Sequence, residues 1–220
     1  MVAKLLEIET VSIVFVGDFN PIILQPFWLV SKGLIRESEA ENAKVEVIHN
    51  EIVKFELDDW AKIEITKNRC IFETSKEPYF EPIKDLTSSI FKILRETPIK
   101  ALGINHIYDL RLPNEEKYKQ LGMILTPLKY WEEELKDPRL LNIEIFESVR
   151  KDGEPGNRRV RISPSDQKIQ YGIVVKVNDH FDLNSGNDRI NAVAQLEKHW
   201  SESFVQSLRI TENLLKQIEL

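Results

Sequence analysis

At 220 residues, 42% hydrophobic and 30% charged, the chain has the make-up of a folded protein with a sizeable core, which excludes persistent disorder. Its 30 basic and 36 acidic residues are interspersed and sum to −6, which excludes a general attraction to phosphate backbones and predicts a mixed, solvated surface. A single cysteine, Cys70, excludes an internal disulfide and a cysteine-built zinc site, and its alternating apolar surroundings predict a buried structural thiol.

Acids interrupt the opening Met1 to Glu9, unlike a signal peptide, and no run of about 18 apolar residues is present to span a membrane. A cytoplasmic protein is therefore expected. Val11 to Val16 is a β-branched run halted by Gly17-Asp18-Phe19-Asn20-Pro21, the pattern of a buried strand and a turn. Pro26 opens a short helix through Phe27, Trp28 and Leu29 towards Ile35. From Lys44 to Thr74 the period is two, with polar breaks at Asn50-Glu51, Asp58-Asp59 and Lys67-Asn68. Such breaks predict an antiparallel meander.

Ile83, Leu86, Ile90, Phe91 and Leu94 form one helical stripe within Pro82 to Arg95. Ile99 to Leu112 reads as a strand, and Asn114 caps a helix to about Leu121 with Glu115 and Glu116 in its first turn. A short helix is predicted over Leu128 to Leu135 and a strand over Leu140 to Val149. A turn-rich loop follows from Lys151 to Asn157, then return strands at Val160 to Ile162 and Gln167 to Val177. A helical stretch from Asn187 to Ile218 closes the chain, with Ser201-Glu202-Ser203 as a point where it could divide.

These elements predict an α+β fold of antiparallel meander sheets in two similar halves, with packed helices and a long C-terminal helix. Residues 1–220 form one domain, with halves at 1–112 and 113–220 sharing a core. Ile104-Asn105-His106-Ile107-Tyr108-Asp109-Leu110 echoes Val177-Asn178-Asp179-His180-Phe181-Asp182-Leu183. Duplication and coincidence in a short motif both account for that likeness.

His106 with Asp109, and His180 with Asp179 and Asp182, offer imidazole and carboxylate groups for metal binding or acid–base chemistry. Either role needs convergence that spacing does not supply, and the favoured reading is that these residues anchor backbone groups at strand ends. His49 falls at a hairpin and His199 on the terminal helix, neither in a ligand pattern. Arg158, Arg159 and Arg161 are candidates for anion or nucleic-acid binding. Cross-strand pairing with the acidic stretch around Glu144 is preferred. Phosphate-loop, dinucleotide and nucleophile-elbow motifs are absent, so no cofactor and no metal are expected. Phe19, Phe27 and Trp28 near the first turn, with Trp200 and Phe204 on the terminal helix, are either core or an interaction surface.

Asp18-Phe19-Asn20-Pro21, Gln25-Pro26-Phe27-Trp28, Gly33-Leu34-Ile35 and Thr97-Pro98 carry a resemblance, together with Ala101 to His106, Gly122 to Pro127 and Val177 to Phe181. Over almost the whole chain these segments resemble a sporadically distributed bacterial family of uncharacterised proteins. The resemblance implies a bacterial, intracellular protein and brings no activity, catalytic residue or cofactor. The function expected is a non-enzymatic protein-interaction module or accessory subunit, with a protein partner or self-association. A hydrolase with a His/Asp site between the halves is the alternative, and a nucleic-acid-binding accessory protein comes after it.

Overall fold

The computed structural model describes residues 2–183 and 191–218. The chain begins with a short helix, α1 (Val2–Leu5), and the long strand β1 (Leu6–Gly17). Helices α2 (Pro26–Ser31) and α3 (Glu37–Glu41) lead into four meander strands, β2 (Lys44–Ile48), β3 (Ile52–Leu57), β4 (Ala61–Thr66) and β5 (Arg69–Thr74). Helix α4 (Phe80–Ile93) then returns the chain to a second long strand, β6 (Ile99–Arg111). Helix α5 (Glu115–Leu125) and a 3₁₀ turn (Leu128–Trp131) precede β7 (Ile143–Glu147), β8 (Gly156–Pro164) and β9 (Gly172–Asp182). Helix α6 (Ala192–Lys216) ends the description.

Among the described residues, nine strands form one sheet in the order β2-β3-β4-β5-β1-β6-β9-β8-β7, with every neighbouring pair antiparallel. Side-chain alternation assigns the faces. Val11, Ile13 and Phe15 of β1 and Leu102 and Ile104 of β6 enter the larger core, where α4 lays Ile83, Leu86, Ile90 and Phe91 against them. Tyr108 and Leu110 continue β6 into a smaller core with Val175 and Val177 of β9, Leu121 of α5 and Leu215 of α6. The helices thus cover one face. Ser12, Val14, Gly103 and Asn105 point to the opposite face. Cys70 is fully buried in the larger core, between Phe15 and Ile65 on the adjoining strands.

Element order repeats. After β1 come helices, the meander β2 to β5, and α4; after β6 come α5, the meander β7 to β9, and α6. The sheet order places β6 as the counterpart of β1, β9 of β5, β8 of β4 and β7 of β3. The second unit therefore begins at Ile99, ahead of the expected boundary after residue 112. The described residues hold no counterpart of β2. The echo at 104–110 and 177–183 is not the signal of this repeat, because it joins β6 to its antiparallel neighbour β9, with Asn105 opposite Asn178.

Several sequence expectations shift in the structure: the helix expected over Leu128 to Leu135 is only the 3₁₀ turn Leu128–Trp131, and the strand expected over Leu140 to Val149 is Ile143–Glu147. The last strand starts at Gly172 and extends through Asp182. Lys168 and Tyr171 adopt φ of 56° and Gly172 N–H bonds Ile169 O at 2.9 Å, so residues 167–171 make a turn. Helix α6 runs unbroken through Ser201-Glu202-Ser203 because Ser203 and Ser207 lie on its buried face, where Ser207 Oγ bonds Phe204 O. Its cap is Asn191, whose side chain accepts from Val193 and Ala194 N–H; the expected start at Asn187 lies outside the described residues. No described helix is long and apolar enough to cross a membrane.

Candidate interaction surface

The sheet register separates the histidines expected to converge. His180 pairs with Gly103 and His106 with Val177, so the two imidazoles leave opposite faces of the sheet. His106 is fully buried under α6 against Trp200 and Phe204, and neither ring nitrogen has a hydrogen-bond partner among the described residues. Burial, opposed by the Asp179 carboxylate, lowers its pKa to about 4. His180 bonds Asp182 on the other face, Nε2 to Oδ1 at 3.0 Å. Asp109 accepts from Ser165 Oγ at 2.6 Å and sits opposite Val174, six residues along β9 from His180, a span of about 20 Å. A composite His/Asp centre from His106, Asp109, His180 and Asp182 is therefore corrected: His180 and Asp182 meet each other, but His106 and Asp109 do not join them. No three His, Cys, Asp or Glu side chains gather as a metal-holding set among the described residues.

The three arginines also part. Arg158 is buried on the helix face, where it donates to Asp179 Oδ1 and Glu147 Oε2, each at 3.0 Å. Arg159 and Arg161 project from the other face. The Arg159 guanidinium lies 5.4 Å from the centre of the Phe146 ring, and Arg161 Nε bonds Asn142 Oδ1 at 2.8 Å. Arg158 thus lies on the face opposite Arg159 and Arg161 and pairs across strands with Glu147, so the three candidates do not form one anion-binding patch.

Sequence reasoning missed what Arg158 joins. Arg150 is almost fully buried and donates to Asp179 Oδ1 at 2.6 Å and to Asp152 at 2.5 Å, with its guanidinium 4.1 Å from the Phe181 ring centre. The hydrogen bond from Arg150 is the first cause holding the Asp152 carboxyl down at about 2. Two buried guanidinium groups on one buried carboxylate form a fixed scaffold with its charges internally matched. The only sequence signal was Asp179 on the core-facing side of a strand, legible once the register was known.

The aromatic candidates mostly turn inward. Trp200 is only 5% exposed and donates from Nε1 to Glu81 Oε1 at 2.7 Å, and Phe204 packs on His106, so α6 presents neither as a docking surface. Phe19 leans on Phe91, and Trp28 is half-buried beneath Lys32. Phe27 alone of this set stands in solvent, 63% exposed.

The exposed apolar surface lies elsewhere. Seventeen large apolar side chains are exposed among the described residues, and nine of them fall between Met123 and Val149, about an eighth of the chain. They include Tyr130 and Trp131 of the 3₁₀ turn, Leu141, and Ile145 and Phe146 of β7. Among the described residues β7 pairs only with β8 and forms one edge of the sheet. Its counterpart β3 has β2 on its outer side, and Phe55 there is 2% exposed, whereas Ile145, which also lies on the helix-covered face, is 55% exposed. Beside this edge a cavity of about 440 Å³ opens between α5, the segment after it, and the sheet, with Leu121, Leu128, Leu135, Leu140, Ile162 and Ile173 in its lining. A concentrated apolar surface next to an unpaired strand can recognise a partner through backbone hydrogen bonds and side-chain burial together.

No protein-family model matches this chain, and no curated protein matches it.

Proposed function

We propose that this chain is a non-enzymatic protein-interaction module, an accessory subunit of a bacterial intracellular complex, that docks its partner at the apolar edge running from the end of α5 to β7. The observation that carries this reading is the crowding of exposed apolar side chains between Met123 and Val149, far beyond an even spread over the surface. Surfaces of this kind mark interaction sites, since water-facing apolar area is favourable to bury. The separation of His106 from His180 across the sheet favours binding over hydrolysis.

The test is affinity capture from lysate with the wild type and with Ile145→Glu/Phe146→Glu. Both substitutions fall on exposed positions, so the thermal midpoint is expected to stay within about 3 °C of the wild type. One stoichiometric partner retained by the wild type and lost from the variant is the expected result. Equal retention by both proteins, or no protein above the background of an unrelated bait, would overturn the reading.

A further inference from the structure

The two units of the sheet end differently. In the first, β2 lies antiparallel to β3, with Lys44 opposite Glu56, Val45 opposite Phe55 and Ile48 opposite Val53. In the second, β7 occupies the place of β3, and no described strand lies beyond it. The chain between α5 and β7 turns once as a 3₁₀ helix and lines the cavity instead of supplying a strand.

Resting on the reading as an interaction module, we propose that β7 is completed by one extended segment of a protein partner, added antiparallel in the place that β2 fills in the first unit. β7 fixes the chemistry of that segment. Ile143 and Ile145 lie on the helix-covered face, opposite Ile162 and Val160 of β8, so residues set against them should be β-branched and apolar. Glu144 and Phe146 lie on the other face, so a Lys or Arg suits the place opposite Glu144 and an apolar residue the place opposite Phe146. Reading the partner from its N-terminus, opposite Phe146 to Ile143, the pattern is apolar, β-branched, basic, β-branched.

Charge selects this occupant over a second copy of the chain. Self-pairing of β7 about Ile145 would set Glu144 against Phe146 and leave the two Glu144 carboxylates diagonal to one another at about 7–8 Å. In that pairing the copy's β7 supplies no cation to the edge, and each chain carries −6 overall. A basic strand would meet Glu144 with the opposite sign from its open side, as Arg161 of β8 faces it from the other.

The experiment uses the whole chain and a fluorescent synthetic peptide bearing Phe-Val-Lys-Val between Ser-Thr flanks, with binding followed by anisotropy. In an antiparallel pair, alternate residues turn both backbone groups towards the neighbouring strand. N-methylation at one alternate set of peptide positions is therefore expected to weaken binding about tenfold or more, and at the other set hardly at all. Glu144→Lys is expected to weaken this peptide several-fold and to favour the version with Glu in place of Lys, a swap that misfolding would not produce. Indifference to N-methylation in both sets would assign the contact to side chains and overturn strand addition. No peptide binding, with lysate capture still dependent on Ile145 and Phe146, would sink the strand proposal and leave the interaction module standing. A dimer in light scattering that the peptide does not dissociate and that Ile145→Pro breaks would give the edge to a second copy and overturn the proposal.

Discussion

His106 combines full burial with two ring nitrogens that no described residue partners, and its closest aromatic neighbours are Trp200 and Phe204. Burial makes the neutral imidazole the form that belongs there, with a pKa near 4 against an unfolded value of about 6.5. Above pH 6.5 both states hold the ring neutral and stability is complete. As pH falls from 6.5 towards 4 the unfolded chain takes up a proton that the native ring refuses, so stability declines across that window by up to about 3 kcal/mol. His199, also lowered chiefly by burial, adds a loss of the same sign. Denaturant midpoints measured from pH 4 to 7.5 should show this decline, and His106→Leu should flatten a large part of it with little loss at pH 7.5. An unchanged acid slope in that variant would place the titration elsewhere. The sequence identified His106 but not its face, because the side on which a strand residue points depends on pairing partners from other parts of the chain. The same holds for Asp179, whose partners Arg150 and Arg158 come 29 and 21 residues earlier.

Local chemistry made most elements legible. Alternating residues from Lys44 to Thr74 became β2 to β5, and the apolar stripe within Pro82 to Arg95 became α4. Asn114 caps α5 as its position implied, with Oδ1 accepting from Lys117 N–H at 2.9 Å. Where α6 was open to division, a tertiary contact decided: the hydroxyls of Tyr108 and Ser207, 2.8 Å apart, tie the middle of α6 to β6. At the entry to β8, Gly156 has φ of +132°, and a Cβ there would stand 2.1 Å from His180 O. Both the left-handed backbone and that close approach require glycine. Gly156→Ala should therefore push β8 away from β9 and cost about 1–3 kcal/mol, read as a lower denaturant midpoint. A midpoint equal to that of the wild type would show that the strand entry relaxes freely. The free edge at β7 was not legible, since its alternation is as good as that of a paired strand. Only sheet order reveals that it lacks a second neighbour among the described residues.

At the scale of the whole molecule, β1 and β6 join two units into one sheet with helices on a single face. Composition and periodicity disclosed the class of fold, whereas the order of its strands depends on contacts between distant segments. Cys70 lies near the middle of the first unit, on β5 between β1 and β4, and burial pushes its thiol well above the ordinary range. A thiol reagent reaches that sulfur only when the helix layer lifts from the sheet or a ladder beside β5 parts. The lone cysteine thus works as an internal stopwatch for breathing of the sheet interior. Its labelling should run at least about a thousandfold slower than that of a free thiol and accelerate with denaturant in step with unfolding. Fast labelling in buffer alone would mean that the core over β5 opens, by loss of helix cover or of a strand neighbour, without global unfolding.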